Sequence, residues 1–211
     1  MLAVSSQIWW FVARSSGMVA AVLLGLTMVW GLLASTRLLR RPGLPAWLTD
    51  LHRGLGGLTV AFVAVHLTAL VLDSYVHFSW PQLLLPFASA WRRVPVTWGV
   101  VALWGLVVVE GSSLLQRRMR RTTWRRLHLL SYPVALLVLL HALQAGSDAG
   151  SSTFRWTALV LAGLVTVLGA VRVLRKPPPR RPAPVRSDVR GARIRAATSA
   201  AGRTPDRSTP D

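Results

Sequence analysis

Five long apolar stretches, separated by short polar segments, organise the chain. They cover approximately residues 8–33, 55–72, 96–115, 129–143 with its flanks, and 156–174. A helix needs about 20 residues to cross a hydrocarbon core of about 30 Å, and each stretch meets or approaches that length. The fourth is interrupted by Ser131, Tyr132 and Pro133. Proline is tolerated in a membrane helix when neighbours satisfy the backbone it frees. The pattern predicts an all-α membrane protein, a bundle of five transmembrane helices over residues 1–175. The segment between the second and third stretches, DSYVHFSWPQLLLPFASAWRRVP, is too apolar for a free loop. It is expected to lie at the interface as a lid, with Trp80, Trp91 and Trp98 at headgroup level. Residues 176–211 have no apolar periodicity and are rich in Pro, Arg, Ser, Thr and Ala. They are expected to form a disordered basic tail. No internal repeat is evident beyond the similar spacing of two histidine pairs.

Charge gives the bundle a direction. Arg37, Arg40, Arg41 and Arg53 flank the start of the second stretch, and Arg117, Arg118, Arg120, Arg121, Arg125 and Arg126 precede the fourth. The opposite ends carry few basic residues: Arg92, Arg93 and Arg155 in the loops. The positive-inside rule then predicts an N-terminus outside and a C-terminus in the cytoplasm, as an odd number of spans requires. The start, MLAVSSQIWW, has no basic n-region, so the first stretch is expected to be a retained span. The composition agrees: 52% of residues are hydrophobic and 15% charged, yet the formal net charge is +18. A multi-pass protein of the plasma membrane reconciles these values, because its charges are confined to loops and tails. The tail can rest on anionic lipid headgroups. Nucleic-acid binding is not expected, since no folded module presents the arginines. The absence of cysteine excludes thiolate-held iron–sulfur clusters, c-type haem attachment and disulfides.

Four of the five histidines fall on two of these spans: His52 and His66 on the second, His128 and His141 on the fourth. Histidine within a bilayer is costly and usually functional. The two spans run in the same direction. His52 and His128 are expected to open their helices near the cytoplasmic surface. His66 is fourteen residues further and His141 thirteen, which is about 20 Å along a helix. The four rings are therefore expected as two pairs at two depths. A haem takes two axial imidazoles on opposite faces, and a centre so ligated moves electrons without binding oxygen. Zinc and copper sites gather three or four ligands at one point, which two separated pairs do not offer. One angle is discordant: thirteen residues leave His141 about 140° from His128 on a straight helix. A kink at Pro133 is the available remedy.

These residues resemble the ferric reductase-like transmembrane domain shared by ferric reductases, NADPH oxidases and the bacterial methionine-sulfoxide-reductase haem subunit. The resemblance rests on H-x13-H and H-x12-H in the second and fourth spans. It extends to WWFVARSSG, LHRGLGGLTVAFVAVHL, LDSYVHF with LLLPFASAWRR, and WRRLHLLSYPVALLVLLHALQAGSD, over roughly residues 8–175. It implies two b-type haems, one held by His52 and His128, the other by His66 and His141. It also implies electron flow from a cytoplasmic or quinol donor to an outside acceptor. Larger family members carry a flavin and nicotinamide domain after the last span. Here about 36 residues follow, with no Gly-rich dinucleotide fingerprint. This sequence shows no flavin or NAD site, so a separate donor, flavoprotein or quinol, is expected. The chain then reads as an oxidoreductase component. The competing readings are a haem-free membrane anchor or assembly partner and a metal-ion transporter.

Other residues carry weaker expectations. Haem propionates need cationic or hydrogen-bonding partners; Arg14 is the candidate at the outer end, Arg53 and Arg125 at the inner end. The inner arginines serve equally as topology signals. Glu110 is read as paired with an arginine or snorkelling, in preference to a proton relay. Ser112 and Ser113 are read as packing residues. His77, near Asp73 and Tyr75, is expected to be an interfacial residue without a role. Asp148 is expected to cap the fifth span. Trp98 or Trp104 could lie at a haem edge.

Overall fold

The computed structural model describes residues 2–36, 44–74, 76–146 and 150–174, with positions 195, 197 and 198 near the C-terminus. Arg37, Arg40, Arg41, Tyr75, Asp148 and the rest of the 176–211 tail lie outside the described residues. The helices belong to one compact unit, Met1–Arg175. They are α1 (Leu2–Thr36), α2 (Leu44–Leu72), α3 (Trp80–Leu84), α4 (Arg93–Leu114), α5 (Arg121–His128), α6 (Ser131–Ala145) and α7 (Ser152–Leu174), with a 3₁₀ turn at Gln116–Arg118. No strand occurs among the described residues. Among the described residues, five helices are long and apolar enough to cross a membrane: Gln7–Thr36, Ala46–Leu72, Arg93–Leu114, Arg121–Ala145 and Ser152–Leu174. The fourth of these combines α5 and α6.

The bundle is two antiparallel hairpins and a fifth helix. In one hairpin α1 packs along α2; in the other α4 packs along α6; α7 lies against α1. Lipid provides no hydrophobic drive between helices, so small residues and internal hydroxyl bonds permit close packing. The buried set reads that way: Ala13, Ser16, Ala20, Thr27, Thr59, Ala69, Ala102 and Ser112. The four hydroxyls of this set are satisfied by their own helices. Thr27 Oγ1 donates to the Leu23 carbonyl at 2.7 Å and Thr59 Oγ1 to Leu55 at 2.8 Å. The outward face is apolar, with Val107, Leu136, Leu159 and Val167 exposed. No residue of α7 is buried.

Two helix boundaries differ from the sequence expectation. His52 does not open its helix, because α2 begins at Leu44 and the polar residues Asp50 and Arg53 continue it. Polar side chains at a membrane surface stay solvated without breaking a helix. Nor does His128 open one: it closes α5, and the chain turns at Leu129–Leu130 before α6 begins. Pro133 explains the break. It has no N–H for the Leu129 carbonyl, and its ring would clash there. That carbonyl instead accepts the Tyr132 N–H at 3.2 Å, and Val134 N–H returns to Leu130 at 3.0 Å.

The segment after α2 folds as a braced lid. Phe78 and Leu83 are buried against Val96 and Val100 of α4. The Phe87 N–H donates to Thr97 Oγ1 at 2.9 Å. Arg93 Nε donates to the Phe87 carbonyl at 2.8 Å. Trp104 Nε1 donates to the Leu84 carbonyl at 2.9 Å. Trp104 lies three turns into α4, so the end of α3 reaches well below the helix start. His77, Phe87 and Arg92 adopt left-handed φ values of 55°, 64° and 39°, a region uncommon for residues other than glycine. Arg92 Nη1 closes the lid against α6 by donating to the Gln144 carbonyl at 2.6 Å.

Candidate cofactor site: two histidine pairs

Each hairpin positions two histidines against its partner helix. On α2, His52 Nδ1 lies 2.9 Å from the Thr27 carbonyl and His66 Nδ1 lies 2.7 Å from the Ala13 carbonyl. On α6, His141 Nδ1 lies 2.8 Å from the Pro95 carbonyl. A carbonyl oxygen only accepts, so these Nδ1 atoms carry the proton. In the neutral ring Nε2 then holds the lone pair, ready for a metal. The fourth ring, His128, meets Ser113 Oγ at 3.4 Å.

Glycine makes these approaches possible. Four residues after each accepting carbonyl stands Gly17, Gly31 or Gly99. A Cβ on Gly17 would stand 2.9 Å from His66 Nδ1, one on Gly31 2.9 Å from His52 Cε1, and one on Gly99 2.8 Å from His141 Nδ1. The same turn of helix therefore supplies both the acceptor and the space. Gly17 and Gly31 are fourteen residues apart, as are His52 and His66. The two hairpins thus repeat one design: carbonyls at 13 and 27 on α1 correspond to those at 95 and 109 on α4. Sequence reading finds no internal repeat because the match lies in backbone acceptors and small residues, not in a string of identities. The spacing of the glycines was its visible trace.

The structure brings the four histidines together as two pairs. At one end, the His52 and His128 rings have centroids 5.9 Å apart at an interplanar angle of 73°. With metal–nitrogen bonds of about 2 Å, two imidazoles across one metal have centres roughly 6 Å apart. Trp124 stacks on His128 at 5.2 Å and 26°. Its indole nitrogen is buried with no hydrogen-bond partner. At the other end, beneath the lid, His66 and His141 line one cavity of about 330 Å³ with Val63, Leu67, Leu103 and Val138. On either side of the Leu129–Leu130 turn, His128 and His141 both contact the α4 side, through Ser113 and Pro95.

The remaining candidates divide. Arg14 lines the lid-end cavity, as does Arg92, which sequence reading had placed in the loop without a role. Arg14 lies over the Trp10 ring at 5.0 Å. Asp73 lines this cavity too; it is buried, and its Oδ1 has no hydrogen-bond partner. Arg53 is exposed and 4.0 Å from Asp50, a pair of little energetic weight. Arg125 is exposed on α5. Glu110 packs over Gly56, where a Cβ would meet its Oε1 at 2.8 Å. No ion pair joins Glu110 to an arginine among the described residues. Trp98 is partly buried, and its indole nitrogen has no partner. Trp104 serves the lid. His77 is exposed.

The residues present suit haem ligation: imidazoles whose Nδ1 atoms bond to the protein, an apolar cavity wall with Arg14 at the His66–His141 pair, and the Trp124 indole stacked beside His128 at the other. Comparison with known proteins points the same way. Residues 16–139 match the family described as ferric reductase like transmembrane component. Over 98 residues the chain is 38% identical to the protein-methionine-sulfoxide reductase heme-binding subunit MsrQ of Xanthomonas campestris pv. campestris strain B100. It is 37% identical over 98 residues to the protein of the same name from strain 8004. The match spans 46% of this chain and 43% of either relative, so less than half of their length. No solved structure matches the chain.

Proposed function

Since the chain belongs to the ferric reductase-like transmembrane family and is a multi-pass membrane protein, we propose that it carries electrons across the plasma membrane through two bis-histidine b-type haems. His52 and His128 hold one haem, His66 and His141 the other. The observation that carries this reading is the two ring pairs, with three of the four Nδ1 atoms committed to backbone carbonyls. A haem ligated on both faces supplies one-electron transfer with no open iron position. The protein's own residues fix ring orientation through Thr27, Ala13 and Pro95, and exclude water with an apolar wall. Arg14 is proposed as the propionate partner beneath the lid, and Arg53 and Arg125 as partners at the other pair.

The basic segments support an orientation with the His52–His128 end at the cytoplasm and the lid and N-terminus outside. The donor is then a separate cytoplasmic flavoprotein or a membrane quinol, and the acceptor meets the lid side. The relatives are named as a subunit, which supports a chain that works with others. A metal-ion path is less well supported, for among the described residues no three His, Asp or Glu side chains gather. The test is a reduced-minus-oxidised visible spectrum of the detergent-purified protein with a haem stoichiometry. A low-spin b-type spectrum at about two haems per chain is expected; no bound haem after haem-replete expression would overturn the proposal.

A further inference from the structure

Three of the four histidines share one arrangement, and the fourth departs from it. Ala13/Gly17, Thr27/Gly31 and Pro95/Gly99 each offer a carbonyl and, one turn later, a glycine that lets the imidazole reach it. The corresponding pair beside His128 is Val109/Ser113. Ser113 Oγ donates to the Val109 carbonyl at 2.8 Å, and Ser112 Oγ donates to the same oxygen at 2.9 Å. The carbonyl that would receive His128 is taken, and a side chain stands where the glycine would be. With its hydrogen committed to Val109, the Ser113 oxygen can only accept from His128 Nδ1–H. It does so at 3.4 Å, longer than the usual 2.7–3.2 Å range and longer than the three carbonyl contacts.

We propose that Ser113 is a positioning residue for His128: its hydroxyl replaces the backbone carbonyl as the Nδ1 partner and leaves this one axial ligand less basic than the other three. This rests on the haem reading above. A strong Nδ1–H bond to a carbonyl raises ligand basicity and stabilises the oxidised iron; a weak one does the reverse. Trp124, stacked on the ring, holds the plane that a short hydrogen bond holds elsewhere. The sequence reading of Ser113 as a packing residue therefore extends to tuning a single centre.

Two variants move the contact in opposite directions. Ser113→Ala leaves Nδ1–H with no acceptor. The double variant Ser112→Ala with Ser113→Gly clears the Val109 carbonyl and rebuilds the arrangement found three times elsewhere. Potentiometric titration followed in the visible band reads the result, with His66→Ala as the background that isolates the His52–His128 haem. Ser113→Ala should raise that midpoint and the double variant should lower it, each by roughly tenfold in the reduction equilibrium, about 59 mV for one electron. The His66–His141 midpoint, read in a His52→Ala background, should stay put in both. Midpoints unmoved, or moved the same way by both variants, where the parent protein holds two haems and each background one, would overturn this proposal alone. A wild-type protein without haem would overturn the functional reading together with it.

Discussion

The two histidine pairs occupy the same pair of hairpins, yet one lies beneath the lid and the other beside a helix break. His66 and His141 sit beneath the lid and line one cavity, each bonded to a backbone carbonyl, at 2.7 and 2.8 Å. The lid over them is held by Thr97, Arg93, Trp104 and Arg92. His52 and His128 sit near a helix break, with one ring on a carbonyl and the other on a serine hydroxyl. The cause is the fourth span. Pro133 splits it, so His141 rides on a continuous helix while His128 rides on an eight-residue segment, α5. A ligand on a short end segment has fewer neighbours to fix it, and ring stacking from Trp124 makes up part of the difference.

The sharpest way to break the comparison is to remove one ring from each pair. His66→Ala should cost one of two haems and leave the other spectrally intact, and His52→Ala should do the converse. Haem stoichiometry by pyridine haemochrome measures both. If either variant loses both haems, the pairs are not independent centres and the two-site description is wrong.

Next in size is crowding the glycine approaches. Gly17→Val on α1 and Gly99→Val on α4 press a branched side chain onto His66 and His141. Overpacking of this kind costs about 1–3 kcal/mol, and here the imidazole is the group that must give. Both variants should release the lid-end haem at lower temperature and leave the other in place. Gly57, with nothing within 4 Å of a built Cβ, is the control. Gly57→Ala should be neutral or gain up to about 1 kcal/mol from helix propensity. A melt followed at the haem absorption band decides it.

Much of this was legible in the residues, and for definite reasons. Span length and charge asymmetry are one-dimensional quantities, so the five spans emerged from counting. The pairing of His52 with His128 and of His66 with His141 came from depth alone, since helical rise converts spacing to distance. What hid was anything requiring the face of a helix. The start of α2 was placed too late because Asp50 and Arg53 look like loop residues in a string. Trp104 looked like a haem neighbour, whereas its indole satisfies the Leu84 carbonyl at the end of α3. The acceptors at Ala13, Thr27 and Pro95 were invisible because every residue has a carbonyl. Only the glycines four residues on betray which carbonyls are used. Asp73 and Arg92 were passed over as loop residues, and the lid folds them onto the cavity.

The helix break offers a more selective test of what separates the pairs. Pro133→Ala restores an N–H for the Leu129 carbonyl and permits α5 and α6 to join. A straight helix would return His128 and His141 to an offset of about 140°. His141 is fixed by Pro95 and Gly99, so His128 should be the ring that swings away. The expected outcome is partial loss or broadening of the His52–His128 haem signal with the lid-end haem preserved, seen by low-temperature visible spectroscopy. An unchanged spectrum would mean that the break is held by packing and not by the proline.

The smallest effect concerns the lid itself. Trp104→Phe removes one hydrogen bond to Leu84, and Thr97→Val removes the acceptor for the Phe87 N–H. Each bond is worth about 0.5–1.5 kcal/mol net, too little to unfold a five-helix bundle. The lid, however, is the least deeply packed part of the enclosed site. Its three left-handed residues, His77, Phe87 and Arg92, store conformational energy that these bonds hold in place. Loosening should therefore appear locally. Protease cutting between Ser79 and Arg92 should accelerate several-fold in both variants, while the His52–His128 haem spectrum is unchanged. Trp156→Phe, which alters an exposed indole on α7, should leave the cutting rate at the wild-type value. If cutting rises equally in all three variants, the lid is not specifically braced by Trp104 and Thr97, and the enclosure of the lid-end pair must come from α4 and α6 alone.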